Sequence, residues 1–172
     1  MRTLQLCYLL IFSVMFVACG DNSQTAPGTT SPQKTPTAEP AKEEVPQSIK
    51  EGKGLGEIKN VSLTDPLNED MSSRGQAIVE MKCASCHKLT DQRVVGPGFA
   101  GITNRRRPEW IMNMITNTDA MLDADPEAQR LLEECLTRMP NQNVSIGDAR
   151  DILEFMRDND VAQVNSKDEA AT

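Results

Sequence analysis

Apolar side chains recur at helical spacing in four stretches between residues 71 and 160, which predicts amphipathic helices. Each stretch opens on a residue that favours a helix start, either serine as an N-cap or proline in the first turn. The four predicted helices run from Ser72 or Ser73 to Cys83, from Pro108 to about Ile115, from Asp125 to about Cys135, and from Ser145 to about Asp158. Because no stretch shows a convincing strand pattern, the sequence predicts an all-α domain.

The first 19 residues have the pattern of a bacterial leader. An apolar run from Leu4 to Val17 ends at a small residue and Cys19. It is shorter than the roughly 20 apolar residues that a membrane-spanning helix needs, so we expect a secretory signal peptide. Its end resembles a lipobox, with Phe16 where leucine is usual, and this implies a lipid on Cys19. Cleavage without lipidation and an uncleaved anchor are the alternatives.

The segments that flank the predicted domain are poor in large apolar residues. Residues 20–70 are mainly Pro, Thr, Ser, Ala, Glu and Lys, and cannot bury enough surface to offset the entropy of ordering. We expect a disordered linker there, with a root-mean-square span of roughly 40 Å. The domain itself is predicted at 71–160, and residues 161–172 are predicted to form a flexible tail.

Composition narrows the class of protein. Aromatic residues make up only 3% of the chain and the net charge is −7. A short domain with so few aromatic residues needs some other large apolar body in its core. The acidic balance, without a basic face, excludes nucleic acid as a partner.

Cys83-Ala84-Ser85-Cys86-His87 reads C-x-x-C-H, the attachment signature of c-type haem. Two sulfurs on one turn can bond the two vinyl groups of a haem, and the imidazole that follows can bind the iron. His87 is the only histidine of the chain, so a second imidazole ligand is excluded. A thioredoxin-like pair would need a βαβ context. Zinc would need four ligands, and only Cys135, which fits a small buried residue, is left besides carboxylates.

The order of these parts resembles a class I, mitochondrial-type cytochrome c over residues 71–160. Gly75 in the first helix, and Ile152 with Phe155 in the last, match residues at which the family's terminal helices cross. Val79 stands where the family usually has an aromatic residue. The resemblance implies a fold of about four short helices around one covalently bound haem.

The resemblance also implies which residues surround that haem. The Pro97 carbonyl, in Val95-Gly96-Pro97, would accept the second ring proton of His87. The family's distal ligand is a methionine in the loop before the last helix, where this chain has Met139 followed by Pro140. Met121, predicted to lie in a turn, is its main rival. Possible propionate partners are Trp110, Arg105, Arg106 and Arg107, with a core tryptophan and solvated arginines as the alternatives.

Iron between histidine and methionine has no open position, which favours electron transfer over catalysis. The resemblance therefore implies an exported single-haem electron carrier, not an enzyme. We expect it on the periplasmic side of a bacterial membrane, held by the lipid at Cys19, or soluble in the periplasm. Its partners would be a quinol-oxidising complex and a terminal oxidase or reductase. A five-coordinate haem sensor or peroxidase-like protein, and a fixed haem subunit of a larger oxidase or reductase, are the alternatives.

Overall fold

The computed structural model describes residues 44–164, which belong to the unit Lys42–Thr172. They form seven helices: α1 (Gln47–Lys50), α2 (Glu69–Lys82), α3 (Ile102–Arg105), α4 (Pro108–Thr116), α5 (Thr118–Ala124), α6 (Pro126–Cys135) and α7 (Ile146–Val164). In this range the only β-structure is an isolated bridge between His87 and Arg93, so the predicted all-α class is confirmed. The expected leader, Cys19 and residues 20–43 of the expected linker lie outside the described residues.

The two longest helices, α2 and α7, cross at Gly75. A Cβ atom on Gly75 would lie 2.6 Å from the carbonyl carbon of Asp151 and 2.9 Å from Cβ of Phe155. Only glycine therefore allows this approach, as the sequence predicted. Around the crossing, α7 buries the apolar face expected for it, formed by Ala149, Ile152, Leu153, Phe155 and Met156. None of the described helices is long and apolar enough to cross a membrane.

Short polar side chains set where the helices begin. Asn68, rather than Ser72 or Ser73, caps α2, and its Oδ1 accepts a hydrogen bond from the Met71 amide at 2.9 Å. Ser72 is buried instead, and its hydroxyl donates to Asp158. The predicted caps Asp125 of α6 and Ser145 of α7 are confirmed. Helix α7 continues to Val164, past the expected start of a flexible tail at residue 161, and residues 165–172 of that tail lie outside the described residues.

Residues 51–68, here called the leading segment, pack against the helices, whereas the sequence predicts a disordered linker up to residue 70. Asn113 of α4 holds the segment at two points. Its side-chain nitrogen Nδ2 donates to the carbonyls of Lys53 and Ile58, each at 2.9 Å. Its Oδ1 accepts a hydrogen bond from the Ile58 backbone amide at 3.2 Å. Ile58 is buried in the core and Leu55, Val61 and Leu63 pack against it, so buried polar side chains add to a small number of apolar anchors.

Glu154 of α7 fixes the other end of the leading segment. It is fully buried and accepts hydrogen bonds from the Thr64 hydroxyl and from the Asn68 amide. Burial alone would raise the pKa of Glu154. The bonds from Thr64, Asn68 and Arg150, with the charge of Arg157, outweigh burial and hold that pKa below 4.5. Glu154 is therefore a buried carboxylate that links the segment to two arginines of α7.

Helix α5 replaces the turn that the sequence predicts around Met121. Asn117 ends α4 and also precedes α5, so no breaker residue separates the two helices. Met121 is 0% exposed, and its sulfur lies 3.0 Å from the amide nitrogen of Leu55, which donates to it. These contacts place Met121 in the core beneath the leading segment.

Candidate haem site

The C-x-x-C-H motif forms a single turn at the end of α2. The amides of Cys86 and His87 both donate to the carbonyl of Cys83, at 3.0 and 2.9 Å. Cys83 and Cys86 are free, half-buried thiols, so both sulfurs are available for a covalent bond. Burial raises the pKa of the Cys83 thiol, with an opposing effect from Lys82. At neutral pH this thiol therefore keeps its proton.

The orientation of His87 is fixed on both faces and at one ring nitrogen. Its Nδ1 lies 2.8 Å from the carbonyl oxygen of Pro97. Because a carbonyl can only accept, Nδ1 carries the proton, and the lone pair of Nε2 is free to bind a metal. Burial lowers the pKa of His87, with the Pro97 bond opposing, so the ring is neutral. The Phe99 ring stacks on it, with centroids 4.6 Å apart.

Gly96 makes room for the imidazole, a role that the sequence analysis missed. A Cβ atom at this position would lie 2.7 Å from Nδ1 and 2.8 Å from Nε2 of His87. Any other residue would displace the ring or the loop. The sequence does hold a signal, since a glycine beside a proline in a loop marks a place where backbone approaches closely. Phe99 was also missed, and a lone aromatic residue in a loop gives no comparable signal.

Methionines outside the leader differ in burial, which bears on the distal ligand. Met139 is half-buried in the loop before α7 and packs against the core. The sulfur of Met121 accepts a hydrogen bond from the leading segment, so Met121 is no longer the main alternative to Met139 as the iron ligand. Met114 of α4 is also half-buried against the core and takes its place. Met81 of α2 is 79% exposed.

Trp110 is buried in the core, as in the alternative to a propionate contact. Its indole N–H donates to Oδ1 of Asp125 at 3.0 Å, and the residue is buried. The same carboxylate oxygen caps α6. Since the indole has a single donor, its hydrogen-bonding capacity is used within the protein.

The three predicted arginines each have a partner in the protein. Arg105 donates to the carbonyl of Ala100 at 2.7 Å. Arg106 pairs with Glu127 and lies over the Trp110 ring, 5.3 Å from its centroid. Arg107 faces Glu109, with 3.5 Å between Nε and Oε2. Neither of these two buried atoms has a hydrogen-bond partner, although they face each other as an ion pair.

The residues present fit a covalently held haem. One turn of the chain carries two free thiols and a neutral imidazole with one free nitrogen. These are the donors that haem c requires. The domain also has half-buried apolar side chains that a large flat cofactor would cover: Leu89, Phe99, Ile102, Met114, Leu131, Leu132 and Met139. Within residues 44–164 no cluster of three His, Cys, Asp or Glu could hold a metal, which argues against the zinc alternative.

A family model described as cytochrome c matches residues 72–160. The chain belongs to the cytochrome c family. It is 33% identical to a cytochrome c from Rhodothermus marinus, over 63% of this chain and 92% of that one, with a TM-score of 0.61. An engineered form of that cytochrome is 32% identical over 61% and 90%, with a TM-score of 0.59. No curated protein matches the chain significantly.

Membership settles the broad chemistry. Cytochromes c bind haem c covalently and transfer electrons with redox partner proteins, and the class I resemblance extends to the solved fold. The matched range 72–160 contains the whole C-x-x-C-H turn, the Pro97 loop and Met139.

Proposed function

We propose that this protein carries single electrons through one haem c, bound through Cys83 and Cys86, with His87 and Met139 as axial ligands. The observation that carries the proposal is the His87 Nδ1 to Pro97 carbonyl bond of 2.8 Å, because it directs Nε2 away as a free ligand. Met139 supports it as a half-buried thioether in the loop before α7. A six-coordinate iron leaves no position for a substrate, so the role is transfer and not catalysis.

Each side chain has a defined task in this proposal. The thiols of Cys83 and Cys86 would hold the haem through thioether bonds to its two vinyl groups. Haem iron supplies a one-electron couple when bound. His87, held neutral and oriented by Pro97, donates its Nε2 lone pair, while Phe99 and Gly96 keep the ring in place.

The proposed location rests on the leader sequence, and the proposed partners rest on the family resemblance. We infer a lipid on Cys19 that holds the domain at the periplasmic side of a membrane, with a quinol-oxidising complex as electron donor and a terminal oxidase or reductase as acceptor. Detergent-phase partition of the wild type, lost in Cys19→Ala, tests the lipid. Recovery of the wild type in the soluble periplasm would exclude it.

The ligands are tested with two matched variants of the haem-loaded chain. Met139→Ala removes the proposed thioether ligand, whereas Met114→Ala removes a half-buried thioether on α4. A thioether favours ferrous iron, so we expect Met139→Ala to lower the reduction potential and abolish the weak sulfur-to-iron band at the red edge of the oxidised spectrum. The iron of this variant also becomes open to carbon monoxide.

Met114→Ala is expected to keep the band and exclude carbon monoxide. If it loses the band while Met139→Ala keeps it, the ligand assignment is wrong and the carrier role stands. A wild-type protein that has no band and binds carbon monoxide readily would have five-coordinate iron. The sensor or peroxidase-like alternative would then replace the carrier.

A further inference from the structure

Residues 88–101, here called the proximal loop, carry Pro97 to His87 and fold back along themselves. The Phe99 amide donates to the Lys88 carbonyl at 2.8 Å, and the Ala100 amide donates to the Thr90 carbonyl at 3.3 Å. These bonds join an outgoing arm to a returning arm, with Pro97 in the returning one. The position of the Pro97 carbonyl therefore depends on where the two arms are anchored.

Two consecutive residues near the end of α7 hold both arms. The side-chain nitrogen Nδ2 of Asn159 donates to the carbonyl of Leu89, in the outgoing arm, at 2.9 Å. Oδ1 of Asp160 accepts the amide of Gly101, where the returning arm ends, at 2.6 Å. Its Oδ2 accepts the amide and the hydroxyl of Thr103, at 2.8 and 2.6 Å.

These contacts are buried and charge-assisted. Asp160 is 0% exposed and Asn159 is also buried, so water does not compete for their partners. Three short bonds to one carboxylate hold the end of the loop more firmly than neutral bonds would. These hydrogen bonds also join distant parts of the chain, since Leu89 lies shortly after the haem-attachment turn and Asp160 lies in the last helix.

We propose that Asn159 and Asp160 are positioning residues for the axial histidine. By fixing both arms, they hold the Pro97 carbonyl at hydrogen-bond distance from His87 Nδ1 and so set how strongly Nε2 donates to iron. A carbonyl that accepts the Nδ1 proton makes the imidazole a stronger donor, which favours ferric iron. Loosening the loop therefore raises the reduction potential. This inference rests on the proposed function, in which His87 binds the iron.

The test compares Asp160→Asn with Asp158→Asn in the haem-loaded full chain. Asp160→Asn replaces one acceptor oxygen by a donor, so at least one bond to Gly101 or Thr103 is lost. Asp158 is a matched control on the same helix, because its Oδ2 accepts the Ser72 hydroxyl of α2 and not the loop. Thr103→Val is a milder second variant that removes only the hydroxyl donor and serves if Asp160→Asn fails to fold.

Two measurements distinguish positioning from general destabilisation. We expect the potential to rise in Asp160→Asn and, by less, in Thr103→Val, and the His87 Nδ1 proton to exchange faster with solvent by NMR. Asp158→Asn should lower the melting temperature and leave both readouts unchanged. If potential and exchange stay at wild-type values in both loop variants, or move equally in Asp158→Asn, the positioning role is wrong. A wild type without a histidine-ligated spectrum would instead overturn the proposed function.

Discussion

The proximal loop and the loop that carries Met139 are held in different ways. In the proximal loop, backbone bonds join the two arms, the Gly96 amide donates to the Cys86 carbonyl at 3.0 Å, and α7 grips both arms. The acceptor of the His87 proton is therefore part of a bonded and partly buried framework. Hydrogen bonds within the polypeptide thus fix both the imidazole and its partner.

Residues 136–145, here called the distal loop, depend on fewer and more exposed contacts. Lys82 donates to the Gln142 carbonyl at 3.1 Å, and Arg138 pairs with Asp119 and Asp123 of α5. Leu136, at the start of the loop, is 89% exposed and adopts a left-handed conformation. The Arg138 pairs are exposed to solvent, where screening makes such pairs weak, and the Lys82 bond is only partly buried.

The two loops therefore differ in how the side chain of each proposed ligand is oriented. On the His87 side, hydrogen bonds of the fold orient the ligand. On the Met139 side the iron–sulfur bond itself would supply part of the order of the loop. If the proposed ligation holds, Met139 is the ligand that an external ligand can displace. Substitutions in the two loops are then expected to have effects of different type and size.

The largest effect is expected from Gly96→Ala, because the new methyl group overlaps the His87 ring. Overpacking at such a site costs about 3 kcal/mol. We expect a loss of that size in the free energy of unfolding, measured with guanidinium, together with reduced incorporation of haem.

Gly147→Ala is the matched control for this substitution. A Cβ atom on Gly147 meets only Oγ of Ser145 at 3.8 Å, and alanine is preferred over glycine in a helix by about 0.8 kcal/mol. A small gain or no change is expected there. If Gly96→Ala behaves like Gly147→Ala, the proximal side is less constrained than its contacts indicate.

A second effect is expected in the leading segment, which serves as a reference region outside both loops. Glu154→Gln removes a buried charge that accepts several hydrogen bonds, and we expect a loss of about 2 kcal/mol at pH 7. The spectrum of the haem is expected to stay unchanged, because the segment carries no proposed ligand.

The pH dependence of this effect has a defined sign. The pKa of Glu154 is lower in the folded protein than its ordinary value of 4.5. Its stabilising contribution is therefore complete above pH 4.5 and disappears as pH falls through the folded pKa. Denaturation curves at falling pH should bring wild type and Glu154→Gln together. A gap that stays constant to low pH would show that the charge of Glu154 does not matter.

A smaller effect is expected from Lys82→Met, which keeps the length of the side chain and removes its bond to the distal loop. We expect a loss of about 0.5–1 kcal/mol in stability. The informative readout is the rate at which ferric haem binds cyanide, which we expect to rise several-fold. Lys88→Met, an exposed lysine in the proximal loop, is the control. Equal rates in the two variants would remove the contrast between the loops.

The smallest effect concerns encounter with a redox partner. Residues 71–160 contain eleven Lys and Arg and fourteen Asp and Glu. A weakly acidic domain favours a partner with a basic patch, so the electron-transfer rate is expected to fall as salt rises and screening shortens to about 10 Å at 0.1 M. Stopped-flow rates that are flat with salt would indicate an uncharged contact instead.

Features that depend on neighbouring residues were predictable from the sequence. The starts of α6 and α7 follow from Asp125 and Ser145, whose capping bonds reach only two or three residues along the chain. Gly75 was predictable because the crossing it allows is a family pattern. The Pro97 carbonyl beside His87, which the resemblance implied, is present in the structure.

Features that depend on distant polar partners were not predictable. The leading segment has the composition of a disordered chain. Part of its order comes from Asn113 and Glu154, whose side chains satisfy backbone groups far away in sequence, and part from the burial of Ile58. A polar side chain that serves as such an anchor has the same pattern as one that faces water. The bond from Trp110 to Asp125 was not predictable for the same reason.

The crossing of α2 and α7 at Gly75 has a consequence for the order of events during folding. Gly75 meets Asp151, which is far away in sequence, so α2 has no partner at Gly75 until α7 is also present. Closing so long a chain is entropically costly, and helices that meet only then form one cooperative unit. Until that closure the thiols of Cys83 and Cys86 stand at the end of an unpacked helix. The architecture thus provides a time window in which haem can be joined to the chain before the two ends lock together.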